Sequence, residues 1–285
     1  TADSGAGSLR QAIIDSNVGL GYDTITFNIP GAGVRTISPT TALPTITDAV
    51  VINGYTQPGS SANTLTTRNN AVILVELNGA SAGAGANGLT INSAGSLVTG
   101  LAINRFHGMG IHVHGAAAQN NTLQGNFVGL NASGTTSQAN GTWGIIVDGS
   151  PNTTIGGSTN GARNLVSGNS QGGIAIIGST AIGATIEGNW IGTDITGSLD
   201  RGNALPGVYV GDAAAFGGMI STGSASQSVI RRNVISGNNG SGVLLRGIGS
   251  NQHQVAGNFI GTNAAGGAAI ANGSFGVLID SGASN

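Results

Sequence analysis

From residue 88 onward the chain returns seven times to a glycine followed by a period-two alternation: G-L-T-I-N at Gly88, G-I-H-V-H at Gly110, G-I-I-V-D at Gly144, G-I-A-I-I at Gly173, G-V-Y-V-G at Gly207, G-V-L-L-R at Gly242 and G-V-L-I-D at Gly276. Alternation of this kind sends successive side chains to opposite faces of a strand. Leu89/Ile91, Ile111/Val113, Ile145/Val147, Ile174/Ile176, Val208/Val210, Val243/Leu245 and Val277/Ile279 then share one face, and all fourteen are aliphatic, as a filled interior requires. The glycines lie 22, 34, 29, 34, 35 and 34 residues apart. Those distances exceed hairpin connections, and the intervening segments lack the helical period of a β-α-β crossover, so the copies are expected to stack as coils of an all-β parallel β-helix. Burying one such side chain contributes about 1.5–3 kcal/mol. That offsets the backbone entropy of the many glycines, about 0.5–1 kcal/mol each relative to Ala.

A second register runs through the turns. N-T-L-Q-G-N-F-V-G at residues 121–129 returns as A-T-I-E-G-N-W-I-G at 184–192 and Q-V-A-G-N-F-I-G at 254–261, with N-L-V-S at 164–167 and N-V-I-S at 233–236 between them. One asparagine therefore recurs as Asn126, Asn164, Asn189, Asn233 and Asn258. An unpaired buried amide costs about 1–3 kcal/mol, so these side chains are expected to form a ladder, ~4.8 Å per rung. The same register makes Glu187 and Arg231 rung neighbours, an exposed pair worth at most ~1 kcal/mol.

Long and short connections alternate. Fifteen residues separate Gly129 from Gly144, Gly192 from Gly207 and Gly261 from Gly276, but six separate Ser167 from Gly173 and Ser236 from Gly242, so the repeating unit is two coils. Each long connection opens with an Asx-x-x-Gly tetrad, at 131–134, 194–197 and 263–266. Such a tetrad is read as a turn whose first side chain bonds its own backbone. Insertions interrupt the pattern at 158–163 and 212–228.

Upstream, S-L-R-Q-A-I-I-D-S-N at 8–17 has the one helical spacing, with Leu9, Ala12 and Ile13 on a face and Ser8 as N-cap. Residues 1–22 are read as a capping helix and lead-in, and 23–285 as coils of one continuous domain, with early strands at 23–29, 34–37, 49–53 and 72–77. The chain opens at Thr1 without a Met and stops inside a coil, so a piece of a longer array is expected.

Composition sharpens this picture. With 52 Gly, 4% aromatic and 7% charged residues, the chain matches neither a disordered segment nor a helix-rich enzyme. The nine basic residues are all Arg and the net charge is −2, which leaves no basic stripe for nucleic acid. No run of 18 apolar residues supports membrane insertion, and the absence of Cys excludes a disulfide frame or a thiolate metal site. No cofactor motif is legible, since none of the Gly-rich strings opens a helix after a strand.

The S-L-R-Q-A-I opening followed by D-T-I-T-F, the I-N-G-Y-T-Q-P-G segment at 52–59 and the alternating G-N-x-I-G and N-x-I-S-G-N coils resemble the right-handed parallel β-helix modules of large bacterial surface and secreted proteins. The resemblance spans essentially the whole chain. It implies a right-handed single-stranded β-helix in the pectate-lyase-like superfold, an extracellular or cell-surface location, and a structural or adhesive role without catalysis. The expected partners are neighbouring modules of the same or a like chain and surface polysaccharide.

The competing function is a polysaccharide lyase or glycoside hydrolase on the outward strand face. Its candidates are His112 and His114, two apart on one strand, with Asp148 on the next rung and Arg105 and His107 nearby for an anionic sugar. Against it, glycoside hydrolysis needs paired carboxylates, and no two of the eleven acids are adjacent. The lyase route commonly uses Lys or Arg with acid-bound Ca²⁺, but Lys is missing and each long loop carries at most one carboxylate. No metal site is expected. The outward column Ile146, Ala175, Ile177, Tyr209, Leu244 and Leu278 is unusually apolar. It is expected to be covered by a neighbouring module rather than by the 212–228 insertion with Phe216, Met219 and Ile220.

Overall fold

The computed structural model describes residues 2–19, 21–212, 214 and 221–284. The chain is a parallel β-helix: three all-parallel sheets of eight, eight and seven strands, which the chain visits in turn. One coil contributes, for example, Thr185–Glu187 to the first sheet, Trp190–Ile191 to the second and Val208–Gly211 to the third. The strand-opening glycines lead into Leu89–Ile91, Ile111–His114, Ile145–Asp148, Ile174–Ile177, Val208–Gly211, Val243–Arg246 and Val277–Asp280, all in the third sheet. The earliest coil has no strand there, and an isolated bridge from Ile46 to Ile91 continues the stack.

Six of the seven aliphatic pairs lie in the central core and are at most 4% exposed. Val277 and Ile279, on the last rung with a neighbour on one side, are 43% and 54% exposed. At the other end the helix Leu9–Val18 places Leu9 and Ile13 against this core, and Ser8 caps it by accepting from the Gln11 N–H.

The recurrent asparagines are fully or partly buried and bonded one to the next. Asn126 Nδ2 donates to Asn164 Oδ1 at 3.3 Å, Asn164 to Asn189 at 2.8 Å, Asn189 to Asn233 at 3.1 Å and Asn233 to Asn258 at 3.0 Å. A second series escaped the sequence reading. Asn140, Asn169, Asn203, Asn238 and Asn272 are linked in the same manner at 3.0, 2.9, 2.8 and 3.1 Å. Each stands four residues before a strand-opening glycine, and that spacing was the legible signal.

The long connections cover the outer face of the second sheet. Asn131, Asp194 and Asn263 each accept backbone N–H groups of their own loops, as an Asx turn requires. Successive loops then bond to one another, Ile195 N–H to Gly134 O at 2.8 Å and Ala264 N–H to Gly197 O at 2.9 Å. Beneath them Phe127, Leu165, Trp190 and Val234 form a second apolar cluster.

Arg163 ties a distant loop to this layer. Its guanidinium donates to the carbonyls of Leu65, Thr66 and Arg68 at 2.8–2.9 Å and lies 4.5 Å from the Trp190 ring centre. Burial pulls its pKa down to about 10, still far above neutrality. Arg163→Ala removes bonds spanning more than 90 residues of chain and is expected to cost about 2 kcal/mol. Hydrogen exchange should localise the loosening to residues 63–70; protection unchanged there would refute the clasp.

Candidate functional site

His112 and His114 project from the outer face of the third sheet, as their alternation dictates, and Asp148 pairs in register with His114. The imidazoles are stacked, with ring centres 4.9 Å apart, and His112 Nε2 lies 3.7 Å from Asp148 Oδ2. This face is not open. His112 is 8% exposed and Asp148 1% exposed, while His114 is half-buried. Ser221 reaches over the strand and donates to Asp148 Oδ1 from its hydroxyl and from its N–H at 3.2 Å. The His114 pKa is lowered, chiefly by burial and then by His112, with Asp148 opposing. The neutral form of His114 is therefore favoured, and its ring packs against that of His112. Among the described residues no group of three or more His, Asp or Glu side chains is arranged to hold a metal ion.

Arg105 does not join them. It ends the second-sheet strand Leu101–Asn104 in the left-handed region, φ 60°, and turns its side chain to Gln138 Oε1 at 2.7 Å and Glu76 at 3.8 Å. His107, also expected near the pair, instead contacts Gly83 O at 2.9 Å through Nδ1.

The apolar column needs a correction too. Ile146, Ala175, Ile177 and Tyr209 are at most 4% exposed within this one chain and form a third apolar cluster with Trp143, whose ring meets Tyr209 edge-on at 6.2 Å. A neighbouring module is not needed to cover Ile146, Ile177 or Tyr209. Part of the insertion does cover this side: besides Ser221 on Asp148, the Thr222 carbonyl accepts from Ser179 N–H and Ala225 N–H donates to Gly211 O. Phe216, Met219 and Ile220 lie outside the described residues. Leu244 and Leu278 are left half-buried.

Glu76, Glu187 and Asp194 are engaged within the chain. Glu76 accepts from Thr36 at 2.8 Å and Asn104 at 2.9 Å. Glu187 is not the exposed partner the register suggested: its side chain is 6% exposed, and one oxygen takes Arg231 at 2.9 Å while the other takes Arg232 at 3.3 Å. Asp194 is 2% exposed and occupied by its own loop.

No family model and no curated protein matches this sequence. Among solved structures the chain is similar to the A-modules of the mannuronan C-5 epimerases AlgE6 and AlgE4 of Azotobacter vinelandii, at 16% and 15% identity. The alignments cover 95% and 90% of this chain and 74% and 73% of theirs, with a TM-score of 0.48 in each case. The Dettilon tailspike protein gp208 is 17% identical over 79% of this chain and 47% of its own, with a TM-score of 0.33. Likeness at this level transfers no residue role; the parallel β-helix rests on the sheets themselves. No described helix is long and apolar enough to cross a membrane.

Proposed function

We propose that the chain is a non-catalytic structural and adhesive β-helix module of a larger extracellular or surface protein of bacteria, whose partners are neighbouring modules and surface polysaccharide. The observation that carries this reading is the fate of the buried carboxylates. Glycoside hydrolysis needs two carboxyl groups facing substrate across a cleft about 5–9.5 Å wide. Here Glu76, Asp148, Glu187 and Asp194 are each engaged by donors of the same chain. The folded energy is invested in rungs: three sheets, two asparagine series and stacked loops make a stiff rod with polar corners.

Incubation with acidic and neutral polysaccharides, with and without Ca²⁺, is expected to release neither new reducing ends nor unsaturated sugars. Either product would overturn the non-catalytic reading and return attention to the third-sheet face around His112 and His114.

A further inference from the structure

The residue before each asparagine of the first series occupies one corner of the coil. It is glycine at Gly125, Gly188 and Gly257, all left-handed with φ 63–72°, and Arg163, before Asn164, is extended with φ −61°. At Arg232 the same corner holds an arginine with φ 56°. A non-glycine residue is disfavoured in that region, and Arg232 is held there beside Arg231 in a chain with nine basic residues in all.

Both guanidinium groups are fixed by the buried Glu187, one on each carboxylate oxygen, and yet face solvent, with side chains 47% and 67% exposed. Each guanidinium carries five N–H donors and spends one bond on Glu187. The cluster keeps one net positive charge, and its remaining donors make no other side-chain bond among the described residues. Around it the surface is low and polar. Gly156 and Ala256 flank Glu187 and Arg231 in register, and a Cβ added at Gly257 would meet no atom within 4 Å. On the same outer face Thr122, Thr154 and Thr185 stand side by side in register, half-buried.

We propose that Arg231 and Arg232 form a binding site for the carboxylate of an acidic polysaccharide, with Glu187 as the buried group that positions both guanidinium planes. A single net positive charge matches a monoanionic carboxylate, and guanidinium groups bind carboxylates through paired, charge-assisted hydrogen bonds. The neighbouring threonine hydroxyls suit the hydroxyls of a sugar chain, whereas the small-residue floor offers no pocket for the side chains of an acidic peptide. This inference rests on the adhesive reading above and gives it a ligand class.

Arg232→Gly is the decisive variant, because the three equivalent corners that share its left-handed backbone, Gly125, Gly188 and Gly257, are glycine, so the backbone there is relieved rather than strained. Binding of the full chain would be measured by affinity electrophoresis in gels containing polygalacturonate, dextran or poly-L-glutamate. Retardation is expected in polygalacturonate alone and is expected to weaken with salt. In Arg232→Gly the half-retarding polygalacturonate concentration should rise about tenfold, with an unchanged circular dichroism spectrum; Arg231→Gln should behave alike. Unaltered retardation of Arg232→Gly, equal retardation in dextran or poly-L-glutamate, or no retardation of the parent chain in polygalacturonate would each overturn the site. Cleavage of polygalacturonate would instead overturn the non-catalytic reading, so the two failures are separable.

Discussion

Replacing Asn189 with Ala is expected to destabilise the chain by about 3–5 kcal/mol, a large loss for one surface-distant side chain. Asn189 is fully buried, and its amide serves both neighbouring coils. Its Nδ2 donates to Ile155 O at 2.8 Å, Glu187 O at 3.1 Å and Asn233 Oδ1 at 3.1 Å, and its Oδ1 accepts from Asn164 Nδ2 at 2.8 Å and Asn164 N–H at 3.3 Å. Alanine would leave a backbone donor and a backbone acceptor without partners and without access to water. Asn258, at the far end of the series and only partly buried, provides the internal comparison. Asn258→Ala should cost about 1 kcal/mol. Urea unfolding monitored by circular dichroism would read both, and equal losses at the two positions would show that stacking between coils is not the source of the effect.

Acid is expected to remove up to about 3 kcal/mol between pH 6.5 and pH 4 through a single histidine. His253 is 4% exposed and replaces an amide at a coil corner: Asn121 Oδ1 accepts from Ser96 N–H, and at the same corner four coils onward His253 Nδ1 accepts from Ser228 N–H at 3.2 Å. The proton therefore sits on Nε2, which contacts Ser250 Oγ at 2.9 Å. A second proton would set Nδ1–H against the Ser228 N–H in a buried site, and burial lowers the His253 pKa to about 4. With the folded value below the unfolded 6.5, the unfolded chain binds the extra proton first. Stability is therefore full above pH 6.5, falls as pH drops toward 4 and is flat with respect to this group below that. His253→Asn keeps an acceptor for Ser228 and should flatten the urea midpoint across this window. A variant whose midpoint still fell as steeply as that of the parent would assign the acid sensitivity to other groups.

The fold was legible because the inner face obeys strict alternation and glycine marks each strand start, so register could be counted without coordinates. The outer faces were less legible for a physical reason. Alternation predicts which side a residue takes but not what later arrives to cover it. Asp148, expected on an open face beside His114, is instead bonded by Ser221, 73 residues further along the chain. Arg105 fell next to the histidines in sequence, yet a left-handed corner between sheets separates them. Arg232 left a trace that counting could have found, a second arginine directly after Arg231 at a corner that is glycine in three of the five coils.

The stacked loops over the second sheet set how such a rod can lengthen. In each long loop the tetrad glycine lies on the aromatic ring of its own coil, Gly134 on Phe127, Gly197 on Trp190 and Gly266 on Phe259, and each loop bonds to the next across one intervening short coil. That short coil offers Leu165 or Val234 as a spacer. A duplication of one coil would bring two long loops, or two bare spacers, onto adjacent rungs. A duplication of a pair restores every contact. Inherited length in this architecture therefore changes in even steps, about 9.6 Å for each added pair, so a lineage can set the reach of the rod by counting pairs without redesigning any surface.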